Sequence, residues 1–567
     1  MSRVTPVIAS NPAGYSVMRH TSLGEDQHCG PFIPPNHSSR PIRSLPTELI
    51  SRIFQLGVDV NFHENVQDPK TKVSQARDEP RQIALGNVDD RGVVGDEGSI
   101  RMGVDERTED VNLADDVEHI GRPSSDVYLL QPFLILVSHV CQHWRNLAIS
   151  TPSLWTSVSI SPISYQHLAT FLTRSKCLPL DIRIRLGSHD HGVRRKIESS
   201  TLPMADTKLL FSLLVVHVDR WRSIDVGAVS NQQMHAFLEA VCDSTVTAAP
   251  QLVSLALSAS DDRAFRSLIA ASSFTPFGGS IPSLESVFLG RVLVDWNQGW
   301  ICAASRLTTL QLWGHSDNMS PSWDELATIL RGAPALECLV LDGSGPPGAP
   351  PNLVPIADSI PIQLVKLKRL SLASLSEVCV CGLLRMLYMP AVRSLYIAFL
   401  WKSHTEFFAC ATAPPPISAL SSIEEPPRSL LHGIETIEVM SPFYGTEDVE
   451  CLYDELDNVT SLVISMDDFW WENSGCAFVL PLLPRAVEED DGAVRLRLPR
   501  LKTLSVIYAT TDIHLLVIRY LVQWRRAAGF PIRSVDVRST CELEEEDAAW
   551  FVANLETFAF SRLDAGE

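Results

Sequence analysis

The chain of 567 residues is short of positive charge: 47 Lys and Arg stand against 67 Asp and Glu, a net charge of −20. Without a basic excess there is little to neutralise a phosphate backbone, so nucleic-acid binding is not expected. The best basic candidate, Arg194-Arg195-Lys196, is too small a footprint in an acidic chain. Long apolar runs are also missing. The most apolar stretch, Tyr128 to Val140, is interrupted by Gln131 and Ser138 and is too short to span a bilayer. Met1 to Ser22 has no apolar h-region, so neither a signal peptide nor a membrane partner is expected. The Asn-x-Ser/Thr triplets at Asn36, Asn318 and Asn458 then read as chance. The 12 Cys are scattered and form no framework, which suits reduced thiols in a cytoplasmic or nuclear protein.

Catalytic templates are lacking as well. There is no G-x-x-x-x-G-K-[ST] and no G-x-S-x-G. One G-x-G-x-x-G occurs at Gly343-Ser344-Gly345-Pro346-Pro347-Gly348, but a dinucleotide site needs a helix to open there, and Pro346, Pro347, Pro350 and Pro351 forbid it. Gly314-His315-Ser316-Asp317 puts Ser, His and Asp in a row, whereas a triad is assembled in space. Cys379-Val380-Cys381, Cys141-Gln142-His143 and His189-Asp190-His191 are isolated, and structural zinc needs four convergent ligands. The acid runs Glu488 to Asp491 and Glu544 to Asp547 read as solvated faces or loops. No catalytic residue, metal or cofactor is expected, and the chain reads as a non-enzyme.

What is present is apolar substance in an ordered pattern. Hydrophobic residues make up 45% of a chain too long for one compact core, so several domains or a repeat array are expected. Residues 1–40 are rich in Pro, Ser, Gly and His without periodicity and read as disordered. A helix start follows at Leu45-Pro46, with Leu49, Ile50, Ile53 and Phe54 at helical spacing. Residues from about 61 to 126 lose this pattern, and 61–130 carries 16 acidic and 8 basic residues. Such a segment buries too little apolar surface to offset its ordering entropy and reads as a disordered acidic insertion. From Phe133, the residues Leu136, Val137, Val140, Cys141, Trp144 and Leu147 predict one helical face, then Pro152 to Trp155 a turn, and Val158 and Ile160 a first strand.

Residues 165–567 hold an internal repeat, apolar-x-x-apolar-x-apolar. Its eleven copies begin at Trp221, Leu252, Leu284, Leu307, Leu336, Leu367, Val392, Ile434, Val459, Leu501 and Ile532, and five of them have a Pro two residues before the first position. Helix-like stretches lie between copies, among them Ser322 to Leu330, Glu447 to Leu456 and Asp512 to Ala528. A short strand plus a helix, each unit's apolar face buried only by its neighbours, predicts an α/β solenoid.

The two ordered pieces near the N-terminus together resemble the F-box. The residues that carry this are Leu45-Pro46-x-Glu48-Leu49-x-x-x-Ile53-Phe54, then Val137-x-x-Val140-Cys141-x-x-Trp144-Arg145-x-Leu147-Ala148, then Pro152-x-Leu154-Trp155. With the repeats behind them, the chain resembles the F-box-like proteins with degenerate leucine-rich repeats common in fungi. The resemblance implies a short α-helical F-box-like module over 41–160, interrupted by the insertion, followed by an irregular leucine-rich-repeat solenoid over 165–567. It implies docking to the Skp-type adaptor of a cullin-RING ubiquitin ligase, with the repeats recruiting an unknown protein substrate. Leu45 and Pro46 would lie at the adaptor interface. Leu49, Ile50, Ile53, Phe54, Val137, Val140 and Trp144 would divide between bundle core and adaptor contact. The alternative is a non-catalytic interaction scaffold whose helices only cap the solenoid.

The negative charge is confined to two places. Residues 61–130 carry a net −8, and residues 441–567, with 23 acids and 11 bases, carry −12. If the C-terminal end binds the target, the partner surface is basic and binding weakens with salt.

Overall fold

The computed structural model describes residues 46–64, 133–162, 165–187, 201–259, 274–297, 299–350, 361–398, 405–413, 429–440, 446–465, 478–483, 496–509, 512–540 and 542–563. The expected disordered segments at 1–40 and about 61–126 lie almost wholly outside these residues. The chain divides into two units, 1–52 and 53–567. Of the first, only the start of the helix Thr47–Glu64 is described, where Leu49 and Ile50 N–H groups both donate to the Pro46 carbonyl. This helix continues past residue 61, where the acidic segment was expected to begin.

The second unit is built on parallel strands. They are β1 (Ser157–Ile160), β2 (Leu180–Arg185), β3 (Trp221–Ala228), β4 (Ser254–Ala259), β5 (Ser286–Gly290), β6 (Thr309–Trp313), β7 (Cys338–Asp342), β8 (Ile362–Gln363), β9 (Arg369–Ala373), β10 (Leu387–Tyr388), β11 (Ser394–Ala398), β12 (Thr436–Val439), β13 (Ser461–Ser465), β14 (Thr503–Ala509), β15 (Ser534–Ser539) and β16 (Thr557–Arg562). All but β8 and β10, which pair with each other, form one 14-stranded sheet in strict chain order. Every pairing is parallel, and the sheet does not close. Parallel neighbours need a crossover, and most crossovers carry a helix, such as Asn231–Val241, Trp323–Gly332 and Asp512–Ala527. The helix at 323–332 starts with a full capping box: Glu325 N–H donates to Ser322 Oγ, and Ser322 N–H donates to Glu325 Oε2 at 2.7 Å.

All eleven repeat copies become strands, and the register shows why the motif holds. The second apolar position runs in line as Ile224, Leu255, Val287, Leu310, Leu339 and Leu370, and continues through Leu395 to Val535. The third runs in line beside it, from Val226 to Val537. These residues are almost wholly buried. Side chains alternate along a strand, so apolar-x-apolar sends both ladders to one face and the x residue to the other. The first position, which opens β3 as Trp221 and lies two residues before the strand in the other ten copies, is buried at every copy. The spacing between copies varies because the crossovers differ: the shortest, from Leu284 to Leu307, contains no helix.

Four consecutive rungs leave the sheet through a left-handed residue: Arg291, Gly314, Gly343 and Ser374, with φ of 56°, 64°, 56° and 51°. Each donates its N–H to the last carbonyl of the next strand, as Gly314 does to Asp342 at 2.7 Å. Glycine at two of these four positions removes the Cβ penalty of that conformation. This repeated exit brings the residues after β6 and β7 side by side.

Candidate functional site

The helical segment ahead of the sheet departs from the single face expected over 133–148. Two helices form instead, Phe133–Val140 and Gln142–Ser150, separated by Cys141 in extended conformation. Cys141 Sγ accepts the Trp144 N–H at 3.5 Å, so this residue starts the second helix rather than continuing the first. The Arg145 Nε donates across the break to the Ser138 carbonyl at 2.8 Å. The periodic spacing was real, but the cap resets the helical phase in its middle.

The expected interface residues separate accordingly. Phe54 and Val137 are buried, and Phe54 packs edge-on against the half-buried Trp144 with ring centroids 5.0 Å apart. Ile50 is buried too. Leu49 is 52% exposed and Ile53 51%, while Pro46 is also open to solvent. Val140, expected to share one helical face with Val137 and to serve either the core or adaptor contact, is 60% exposed. Leu45 lies outside the described residues. One residue that the motif did not single out, Leu56, is exposed as well. Leu49, Ile53 and Leu56 stand at i, i+4 and i+7 on one helix, and therefore form one apolar stripe. Trp155 is core: its Nε1 donates to the Ala148 carbonyl at 2.8 Å, Phe171 meets it edge-on, and the Arg174 guanidinium lies 4.3 Å over its ring.

The residues with catalytic potential are taken up by structure. His315 is buried between rungs, with Nδ1 2.9 Å from Ser344 Oγ and Nε2 3.2 Å from the Val292 carbonyl. Burial pushes its pKa down to about 4, and the nearby Arg291 adds to this while the Val292 carbonyl opposes it. The ring is neutral at pH 7, with Nε2–H donating to Val292 and Nδ1 facing the hydroxyl. This pairs His315 with the Ser of the G-x-G-x-x-G loop, not with its neighbours Ser316 and Asp317. Ser344 is wholly buried; its hydroxyl donates to the Asp342 carbonyl and accepts the His315 backbone N–H at 2.9 Å, so it braces a turn. Cys379 and Cys381 are buried, and burial raises both thiols to about 12. Neither is a ready nucleophile at neutral pH. Glu545, Glu546 and Asp547 form the first turn of the helix Glu545–Asn554, and Asp547 pairs with Arg519 at 2.9 Å. Glu488 to Asp491 and His189-Asp190-His191 lie outside the described residues.

The other candidate surface is the sheet face opposite the ladders. In its middle the register aligns Phe288, Gln311, Val340, Ser371 and Tyr396. At one end Arg185 Nη2 lies 2.6 Å from Asp225, with Arg183 alongside; burial lowers the Arg183 pKa, and Asp225 works against it. Toward the other end stand Glu438 and Asp536. The x positions vary from copy to copy, so the repeat motif carried no sign of this face. Its signal was the alternation itself.

Among the described residues no His, Cys, Asp or Glu cluster could hold a metal ion, and no helix is long and apolar enough to cross a membrane. The chain matches no protein-family model and no curated protein.

Proposed function

We propose that the chain is a substrate-recognition subunit of a Skp–cullin–F-box type ubiquitin ligase, working in the cytoplasm or nucleus. The helices of 47–64 and 133–150 form an F-box-like module that docks the adaptor. The strand–helix units behind form a leucine-rich-repeat solenoid whose open sheet face holds a target protein. The chain itself performs no bond chemistry in this reading. It supplies proximity, raising the effective concentration of a target lysine near the ligase's transfer machinery.

One observation carries the docking part. Leu49, Ile53 and Leu56 are exposed on the same helix that buries Ile50 and Phe54. A helix apolar on two sides has one side for its own core and one that, among the described residues, nothing covers, and such a patch suits a partner. The scaffold reading draws on a different observation, the burial of Val158 and Ile160 in the first strand, as expected of a repeat array that is capped.

Capture with a purified Skp-type adaptor separates the two. Docking requires binding by the full chain, lost in Ile53→Asp without a change in thermal melting. A chain that captures no adaptor, either intact or after deletion of 61–126, is a scaffold and not a ligase subunit.

A further inference from the structure

The two ends of the sheet differ. At β1 the ladder residues Val158 and Ile160 are each 2% exposed. At β16 their counterparts Phe558 and Phe560 are only half-buried, although Phe558 stacks on Phe551 with centroids 4.7 Å apart. Among the described residues β16 pairs with β15 alone. The Thr557 N–H donates to the Arg533 carbonyl and the Leu563 N–H to the Ser539 carbonyl. Main-chain groups alternate direction along a strand, so Phe558, Phe560 and Arg562 turn theirs away from β15. That row of donors and acceptors is a template for one more strand.

The residues on this edge indicate which strand. Glu556-Thr557-Phe558-Ala559-Phe560-Ser561-Arg562 is its own antiparallel complement. Paired with itself about Ala559, it sets Glu556 against Arg562, Thr557 against Ser561 and Phe558 against Phe560. Each is a favourable cross-strand pair: opposite charge, hydroxyl with hydroxyl, aromatic with aromatic. The main-chain geometry agrees, because Phe558 and Phe560 are the residues whose N–H and C=O groups point outward. Moving the axis to Phe558 or Phe560 would set an aromatic ring against Glu556 or Arg562. The charged side chains are accessible: Glu556 is 68% and Arg562 58% exposed, each with a surface partner in Arg533 or Glu542.

We infer that β16 pairs antiparallel with β16 of a second copy, about a two-fold axis at Ala559, so that the two sheets continue into one another. The interface is isologous, as a two-fold contact must be. It also covers the half-exposed Phe558 and Phe560 with the same residues of the partner. The edge is short, so the contact is a weak one and association depends on concentration. The inference is independent of adaptor docking.

Sedimentation of the full chain over a concentration series tests it. The expected result is a monomer converting to a dimer. Ala559 is exposed, so Ala559→Lys and Ala559→Glu leave the fold intact by circular dichroism but place two like charges at the axis. Each variant should be monomeric, and a mixture of the two should form a heterodimer. A wild-type chain that stays monomeric, a dimer indifferent to both substitutions, or a mixture that fails to associate would each overturn the inference.

Discussion

Acidification should loosen the middle of the sheet through His315. In the folded chain its pKa is lowered from 6.5 to about 4, because burial of the ring disfavours the charged form; the hydrogen bond to the Val292 carbonyl works against this, and the nearby Arg291 adds to it. An unfolded chain returns the ring to water and to its ordinary value. The sign follows from proton uptake: between those two values the unfolded state binds the proton and the folded state does not. The stabilisation is therefore complete above pH 6.5 and is lost as pH falls toward about 4. The gap corresponds to about 3 kcal/mol. His315→Gln removes the titrating group while keeping an amide able to reach the Val292 carbonyl. Amide exchange at Gly314 and His315 is the assay, since it reads this rung even where a repeat array opens in parts. The protection of the wild type, relative to the variant, should fall across this window and be level above it. All other titrating groups are common to both chains. Parallel curves across the window would refute the assignment of a neutral, buried His315.

Three further outcomes are expected. Leu339→Ala, in the middle of a buried ladder between Leu310 and Leu370, should cost about 3 kcal/mol in denaturant unfolding, whereas Val340→Ala on the open face should cost well under about 1 kcal/mol. Arg525 is wholly buried and donates to the carbonyls of Arg497, Leu498 and Phe530, so Arg525→Met should cost about 3 kcal/mol or more and lower the melting temperature, with Arg525→Lys recovering only part of it. Gly345→Ala would bring a Cβ within 2.4 Å of Cys379 Sγ and 2.9 Å of Leu375 Cδ2, and should destabilise by about 1–3 kcal/mol in the same measurement.

The repeat was legible because a period of two in apolar residues has one physical meaning in a strand, and each copy sits in line with the next. Strands β2 and β16 escaped notice at the two ends of the array. In β2 the positions on the face opposite the ladders are the charged Asp181, Arg183 and Arg185, which hide the alternation of Leu180, Ile182 and Ile184. In β16, Leu555, Phe558 and Phe560 keep the repeat spacing, with Phe in place of the aliphatic residues that fill the ladders elsewhere, and they were not counted as a copy. The break at Cys141 was missed for a related reason. A thiol is a weak acceptor, and nothing in Val137-x-x-Val140-Cys141-x-x-Trp144 distinguishes a cap from one more buried residue.

By itself the amino-acid sequence determined the rungs of this protein. Alternation within a copy specifies which residues face the core, and a strand so patterned buries them only against a neighbour of the same kind. What it left open was the choice among equally apolar residues. Leu49, Ile50, Ile53 and Phe54 are alike in hydropathy, and only the packed structure buries Ile50 and Phe54 and leaves Leu49 and Ile53 in water. The meeting of His315 with Ser344, 29 residues away, was likewise decided by the tertiary structure. Helical and strand periods act over a few residues, whereas burial and cross-strand register are properties of what the rest of the chain brings alongside.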